Sequence, residues 1–326
     1  MCSFAGQTYL IILEQAMRYL DPKADLTFKR VFGEHPDLVI SLLNALLPIK
    51  EGEEILSVEY LPSEMVPENP LRKNSIVDVR CRDQQGRQYI VEMQMIWSPE
   101  FMQRVLFNSA KAYVRQLKGG EQYELLEPVY SLNLVNEIFE PELKEYYHYY
   151  QLVHVLHTDR VIDGLHLVFV ELPKFTPQTF TEKKMQALWL RFLTEIETNT
   201  RQAPQDLLAD PQIRKALSIV EESAYTDEQL LGYDKFWDVI SVEKTLFYSA
   251  NRRGVKQGLA QGLAQGIEQG LAQGREQGLA QGIEQGLAQG REQEKIHIAQ
   301  KMKALGMDTK TIEQVSGLTA EQIEQL

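Results

Sequence analysis

The sequence predicts an α/β fold, strands interleaved with helices, extended by a helical C-terminal half. Three observations carry that expectation. Residues 74–96 alternate apolar and polar side chains about a tight turn, as two antiparallel strands do. Strand-like runs at 54–60, 129–139, 146–156 and 165–172 are interleaved with helical patterns at 25–47 and 99–117. From Thr181 onward the apolar spacing turns helical.

The hairpin is the best-specified element. Its turn is Asp83-Gln84-Gln85-Gly86, flanked by β-branched and apolar residues. A three-residue loop, Gln84 to Gly86, puts glycine where φ must be positive. Asp83 then pairs with Arg87, Asp78 faces Glu92, and Ile76 faces Gln94. Directly opposed residues hold their Cβ atoms about 5 Å apart on one face. Gln94, two residues beyond Glu92, returns to that face. The other face carries Val77, Val79, Cys81, Tyr89, Val91, Met93 and Met95, all suited to a core. A four-residue loop would instead set Asp78 diagonally, and sharing a face would then need a bulge. Two opposed carboxylates repel unless something positive lies between them. Mg²⁺ suits this arrangement, because it takes oxygen ligands, keeps several waters and needs only one or two protein carboxylates. A cation so held lowers the pKa of bound water and polarises a phosphoryl oxygen.

Asp78, thirteen intervening residues and then Glu92-Met93-Gln94 resemble the D…(D/E)xK signature of the PD-(D/E)XK nuclease superfamily. Two more blocks narrow the likeness. One is Leu20 to Gly33 upstream; the other joins Arg104 to Tyr113 with Lys118 to Tyr123, before the strand that starts at Pro128. Together they resemble the Rpn family of recombination-promoting nucleases and transposases. That resemblance implies a restriction-endonuclease-like core over residues 17–175, a mixed sheet flanked by helices, and metal-dependent cleavage of DNA phosphodiesters, linked to recombination or transposition. Asp78 and Glu92 would be the ligands of Mg²⁺ or another divalent cation. Gln94 stands where the superfamily has lysine, and would orient water or a ligand. Lys29 and Lys111 are the candidate cations from outside the hairpin. Arg104 and Tyr113 match family positions and are candidate DNA contacts. For Asp25 and Lys29 the competing reading is a helix cap and a solvated lysine; for Arg104 it is a helix-surface arginine. A different class remains open: a catalytically inactive nuclease fold serving a mobile element as a DNA- or protein-binding module.

Bulk properties fit either class. At 326 residues and 44% hydrophobic, the chain can build one large domain with appendages, or two domains. A net charge of −12 is the wrong sign for a protein that coats DNA, yet allows a local basic patch beside an acidic site. Two cysteines imply no disulfide framework, and no apolar run reaches spanning length, so the chain reads as cytoplasmic with no membrane partner. Residues 1–16 read as an upstream extension, loosely helical or disordered, with Met17 as the natural start.

Four histidines, His148, His154, His157 and His166, fall in strand-like runs. His154 and His157 lie an odd number apart, which would point them to opposite faces, so ordinary strand histidines are expected. Residues 176–253 read as a helical subdomain, with Pro211 interrupting one helix. Between 254 and 294 runs a Gly-x-x-Gln array whose period of four exceeds 3.6 residues per turn, so no fixed apolar face results. It reads as a long frayed helix or a spacer. With the helical half, it is where a homo-oligomer would form. Residues 295–326 regain a globular pattern of short helices, including the capping box Thr319-Ala320-Glu321-Gln322.

Overall fold

The computed structural model describes residues 18–65, 75–177 and 184–326, which form two compact units divided between Thr245 and Leu246. The N-terminal extension, residues 66–74 of the proline-rich loop and Lys183 lie outside the described residues.

In the first unit the strands are β1 (Val58–Tyr60), β2 (Glu64–Met65), β3 (Ser75–Ile76), β4 (Val79–Asp83), β5 (Gln88–Gln94), β6 (Val129–Val135), β7 (Tyr147–His154) and β8 (His157–Glu171). Six of them form one sheet in the order β1-β4-β5-β6-β8-β7. The β5–β6 and β6–β8 pairs are parallel and the others antiparallel, so the sheet is mixed. Parallel neighbours need a crossover connection. Between β5 and β6 that connection contains helix α3 (Glu100–Val114).

Helices cover both faces. α1 (Asp25–Gly33) and α2 (Pro36–Leu46) are separated near Gly33 and Pro36, and Pro36 opens α2 where its missing N–H costs nothing. Phe28, Phe32 and Leu42 of this pair pack against Val79, Cys81, Tyr89 and Val91 of the hairpin. The same cluster takes in Trp189 and Phe192 of α4 (Lys184–Glu195), Leu207 of α5 (Gln205–Ala209) and Leu217 of α6 (Pro211–Ile219). Asp210 caps α6 by accepting from the N–H groups of Gln212 (2.9 Å) and Ile213 (3.2 Å). On the opposite face α3 lays Phe101 and Val105 on Val135 and Phe169, and Ala112 on Ile90 and Val129.

The hairpin has the expected register. Val79 pairs with Val91 and Cys81 with Tyr89, the loop spans Gln84 to Gly86, and Gly86 has φ +92°. At its open end Asp78 lies in a bend before β4, outside the β4–β5 ladder, so it is not paired with Glu92 as expected. Two further expectations fail there. Ile76 pairs with Glu64 in a separate two-stranded ribbon and does not face Gln94. Val77 packs with Met65 and Ile90 under α3, not with Val79. Both follow from a bend at Asp78: the Val77 N–H donates to the Ser63 carbonyl at 3.1 Å, which pulls the segment off the main sheet. β8 also starts earlier than expected, at His157, and forms a long hairpin with β7 that is irregular at Gln151/Leu152.

Helix α7 (Asp227–Ala304) runs unbroken through the Gly-x-x-Gln array, whose leucines and isoleucines are exposed. In the second unit Ala299 of α7 joins Ile312 of α8 (Thr309–Ser316), Leu318, and Ile323 of α9 (Ala320–Glu324) in a small core. Asp308 caps α8, and the Thr319/Gln322 capping box forms as expected. Among the described residues no helix is long and apolar enough to cross a membrane.

Candidate active site

The open end of the β4–β5 hairpin gathers the acidic residues. β5 supplies Glu92 and Gln94. The bend before β4 supplies Asp78, one residue short of the Val79–Val91 pair. The Asp78 Oδ2 accepts the Met93 N–H at 2.8 Å, which ties this carboxylate to the neighbouring strand. Glu92 is only 5% exposed; its Oε1 accepts from Asn108 Nδ2 at 3.2 Å, and its Oε2 lies 3.7 Å from Arg104 Nη2.

Both carboxyls titrate above the ordinary range. Burial is the main cause for Glu92, the Asp78 charge adds to it, and Arg104 and Asn108 offset only part, so its pKa is pushed up to about 7. Asp78 is also raised, chiefly by burial, against the pull of the Met93 N–H and Lys29. The Asp78 charge acts on Glu92, and the nearby Arg104 and Lys29 do not fully offset burial at either acid. The cleft beside Asp78, of about 170 Å³, is walled by Met93, Gln94 and Asp25, and by Phe236, Ile240 and Glu243 from the start of α7. Asp78 lines this cleft and Glu92 does not; the two neighbouring carboxylates are the oxygen donors that would hold a hard divalent cation, with waters in its remaining positions. Among the described residues no cluster of three or more His, Cys, Asp or Glu could hold an ion, so any cation here would rest on the pair.

Gln94 is locked. Its Oε1 accepts from Arg104 Nη2 at 2.6 Å, and its Nε2 donates to the Ile96 carbonyl at 2.5 Å. Arg104, half-exposed, therefore touches both Gln94 and Glu92, with its guanidinium 4.8 Å above the Phe101 ring. Lys29 pairs with Asp25 at 2.6 Å, yet its charge still reaches Asp78. Lys111 is placed elsewhere: its Nζ donates to the Met65 carbonyl at 2.5 Å and to Ser75 Oγ at 3.3 Å, supporting the β2–β3 ribbon. Tyr113 packs beside Ile90 and Ala112, where a Cβ on Gly164 of β8 would meet its hydroxyl at 3.4 Å.

Three contributors were missed in the sequence. Asn108 lies four residues after Arg104, on the same helix face, and that polar i,i+4 pair on an otherwise buried stripe was an available signal. Lys23 forms a buried ion pair with Asp21 at 3.0 Å and donates to the Leu193 carbonyl at 2.9 Å, holding the loop before α1 to α4. The α7 residues reach the cleft through tertiary packing, which leaves no local signal. Of the strand histidines, His148 contacts Glu171 at 3.0 Å and His166 stacks on Tyr130 at 4.3 Å. His154 and His157 are exposed and pair across the β7–β8 turn with rings 4.9 Å apart, not on opposite faces as expected.

The pattern defining the PD-(D/E)XK nuclease family transposases matches residues 22–241. Among curated proteins and among solved structures nothing matches the chain. The family match covers well over half of the chain, including both carboxylates and every strand of the sheet. The chain belongs to the PD-(D/E)XK nuclease family transposases.

Proposed function

We propose that this protein is a metal-dependent DNA endonuclease acting in recombination or transposition. Membership in a nuclease family of transposition-related proteins supports the coarse reading. The observation that carries the finer one is the neighbouring pair Asp78 and Glu92 at the open end of the hairpin, each held above its ordinary pKa chiefly by burial, with the Asp78 charge raising Glu92 further.

In this reading Asp78 and Glu92 hold a divalent cation, which supplies a more acidic water and a polarised phosphoryl oxygen when bound. Asp78 is oriented by the Met93 N–H, and Glu92 by Asn108. Holding the cation requires Glu92 to give up the proton that burial favours. Arg104 presents a guanidinium to a phosphate oxygen, and Gln94 fixes that guanidinium. Of the two candidate lysines Lys29 is the one whose charge reaches Asp78, although Lys23 and not Lys29 lines the cleft; Lys111 is engaged by the ribbon.

The test is nicking of a supercoiled plasmid with Mg²⁺, Mn²⁺, Ca²⁺ or chelator. Nicking should need Mg²⁺ or Mn²⁺, and Asp78→Asn should lower it by 10²-fold or more, as loss of a group acting in the transition state does, without changing the far-ultraviolet spectrum. Undiminished nicking by that variant rejects the assignment. One observation favours the non-catalytic alternative: Gln94 is neutral and both its polar atoms are engaged. A binding module would retain DNA equally with metal or chelator and nick nothing.

A further inference from the structure

A second cavity, of about 480 Å³, opens between α1 and the first turns of α7. It shares Asp25 and Phe236 with the cleft at Asp78, so the two are adjoining parts of one depression. Its size is that of a small-molecule site. Its charges cancel: Lys29 and Arg30 are matched by Asp25 and Glu34, and Lys29 is already paired with Asp25. A lone phosphate would find no net attraction there. What the walls offer is mixed. Gln229, whose Oε1 accepts the Thr226 N–H at 3.0 Å, presents its amide NH₂ as a donor, Glu34 accepts, and Arg30 donates from a guanidinium set 4.2 Å over the Tyr225 ring. Phe236 adds an aromatic surface. Donors and acceptors beside an aromatic wall match the edge and face of a nucleobase. Gly232 also borders this space, and a Cβ added there would meet nothing within 4 Å. Glycine is unfavourable inside a helix. Packing does not demand it at this position, and its effect is to leave the cavity open.

We propose that this cavity is a nucleobase subsite, taking an unpaired base next to the phosphate cut at Asp78 and Glu92. The inference rests on the nuclease reading and adds a substrate class: DNA with an unpaired nucleotide beside the cut. A stacked, paired base cannot enter such a cavity without being extruded, and extrusion costs least where the base is already mispaired or single-stranded.

The test uses the full chain and two labelled duplexes, identical except that one carries a single unpaired nucleotide. Cleavage in Mg²⁺ and anisotropy binding in chelator are both measured, for the wild type and for Gly232→Leu, which fills the cavity without changing charge. The wild type should favour the interrupted duplex roughly tenfold, the worth of one base–aromatic stack. Gly232→Leu should bring that ratio to within about twofold while melting no lower than the wild type; Gly232→Ala should fall between, and decides the matter if the leucine variant fails to fold. Equal treatment of the two duplexes by the wild type, or a preference that survives the filled cavity, overturns the subsite and leaves cleavage itself intact. If neither duplex is cut but the binding preference appears and then vanishes in Gly232→Leu, the nuclease reading fails and the subsite stands.

Discussion

Glu92 is buried deeply enough to keep its proton to about pH 7, yet holding a cation requires it ionised. The consequence for stability has a definite sign. In the metal-free chain the folded-state pKa lies above the ordinary 4.5, so between those values the folded state holds more protons than the unfolded one. Stability therefore falls as pH rises through that window, by on the order of 3 kcal/mol from this group. Asp78, also raised, acts in the same direction. The melting temperature of the metal-free protein should fall from pH 5 to pH 8, and Glu92→Gln should remove most of the slope. Mg²⁺ should stabilise more at pH 8 than at pH 5, because binding must displace the proton. A flat profile in the wild type would contradict the burial assigned to this carboxyl. Asp78 and Glu92 were picked out in the sequence by strand alternation and a glycine turn, but the bend that takes Asp78 off the ladder left no such signal. The tie between Arg104 and Gln94 was not, since a helix-surface arginine and one aimed at a site share the same local pattern.

At the scale of the element, the hairpin turn is held by Asp83. Its Oδ1 accepts from the N–H groups of Gln85 (2.9 Å) and Arg87 (3.0 Å), and its Oδ2 from Arg87 Nε (2.7 Å) and Tyr89 Oη (2.9 Å). Removing one member of a buried ion pair leaves the other unpaired, so Asp83→Ala should cost about 3–5 kcal/mol in urea unfolding. A cost near zero would mean that the turn forms without this network. Turn chemistry is local, which explains why register and loop length could be read directly. The strand beyond Asp78 misled because its partner, β2, lies beside a proline-rich loop and is only two residues long. In the array, glycine recurs at every fourth residue from Gly254 to Gly290, yet α7 is continuous. Each glycine costs roughly 1 kcal/mol of helix stability relative to alanine. Replacing four of them by alanine should raise the midpoint of thermal loss of helical circular dichroism, and an unchanged midpoint would show that something other than propensity holds the helix.

At the scale of the whole molecule, the chain divides between Thr245 and Leu246. The sheet, both carboxylates and the large hydrophobic cluster all belong to the first unit. The alternation of strands and helices was readable from periodicity, and the mixed sheet was implied by the family resemblance. That α4, α5 and α6 share one core with the hairpin was not, because long-range packing leaves no trace in local spacing. A chain ended after Thr245 should keep the melting transition of the first unit and any nicking activity. Loss of both would mean that the second unit is required for the first to fold. The most direct measurement is Mn²⁺ binding by electron paramagnetic resonance at pH 8, on the wild type, Asp78→Asn, Glu92→Gln and the double variant. If the two carboxylates share one ion, the wild type binds at the pair and each single variant weakens that binding nearly as much as the double does. Unchanged Mn²⁺ binding in the double variant would contradict it.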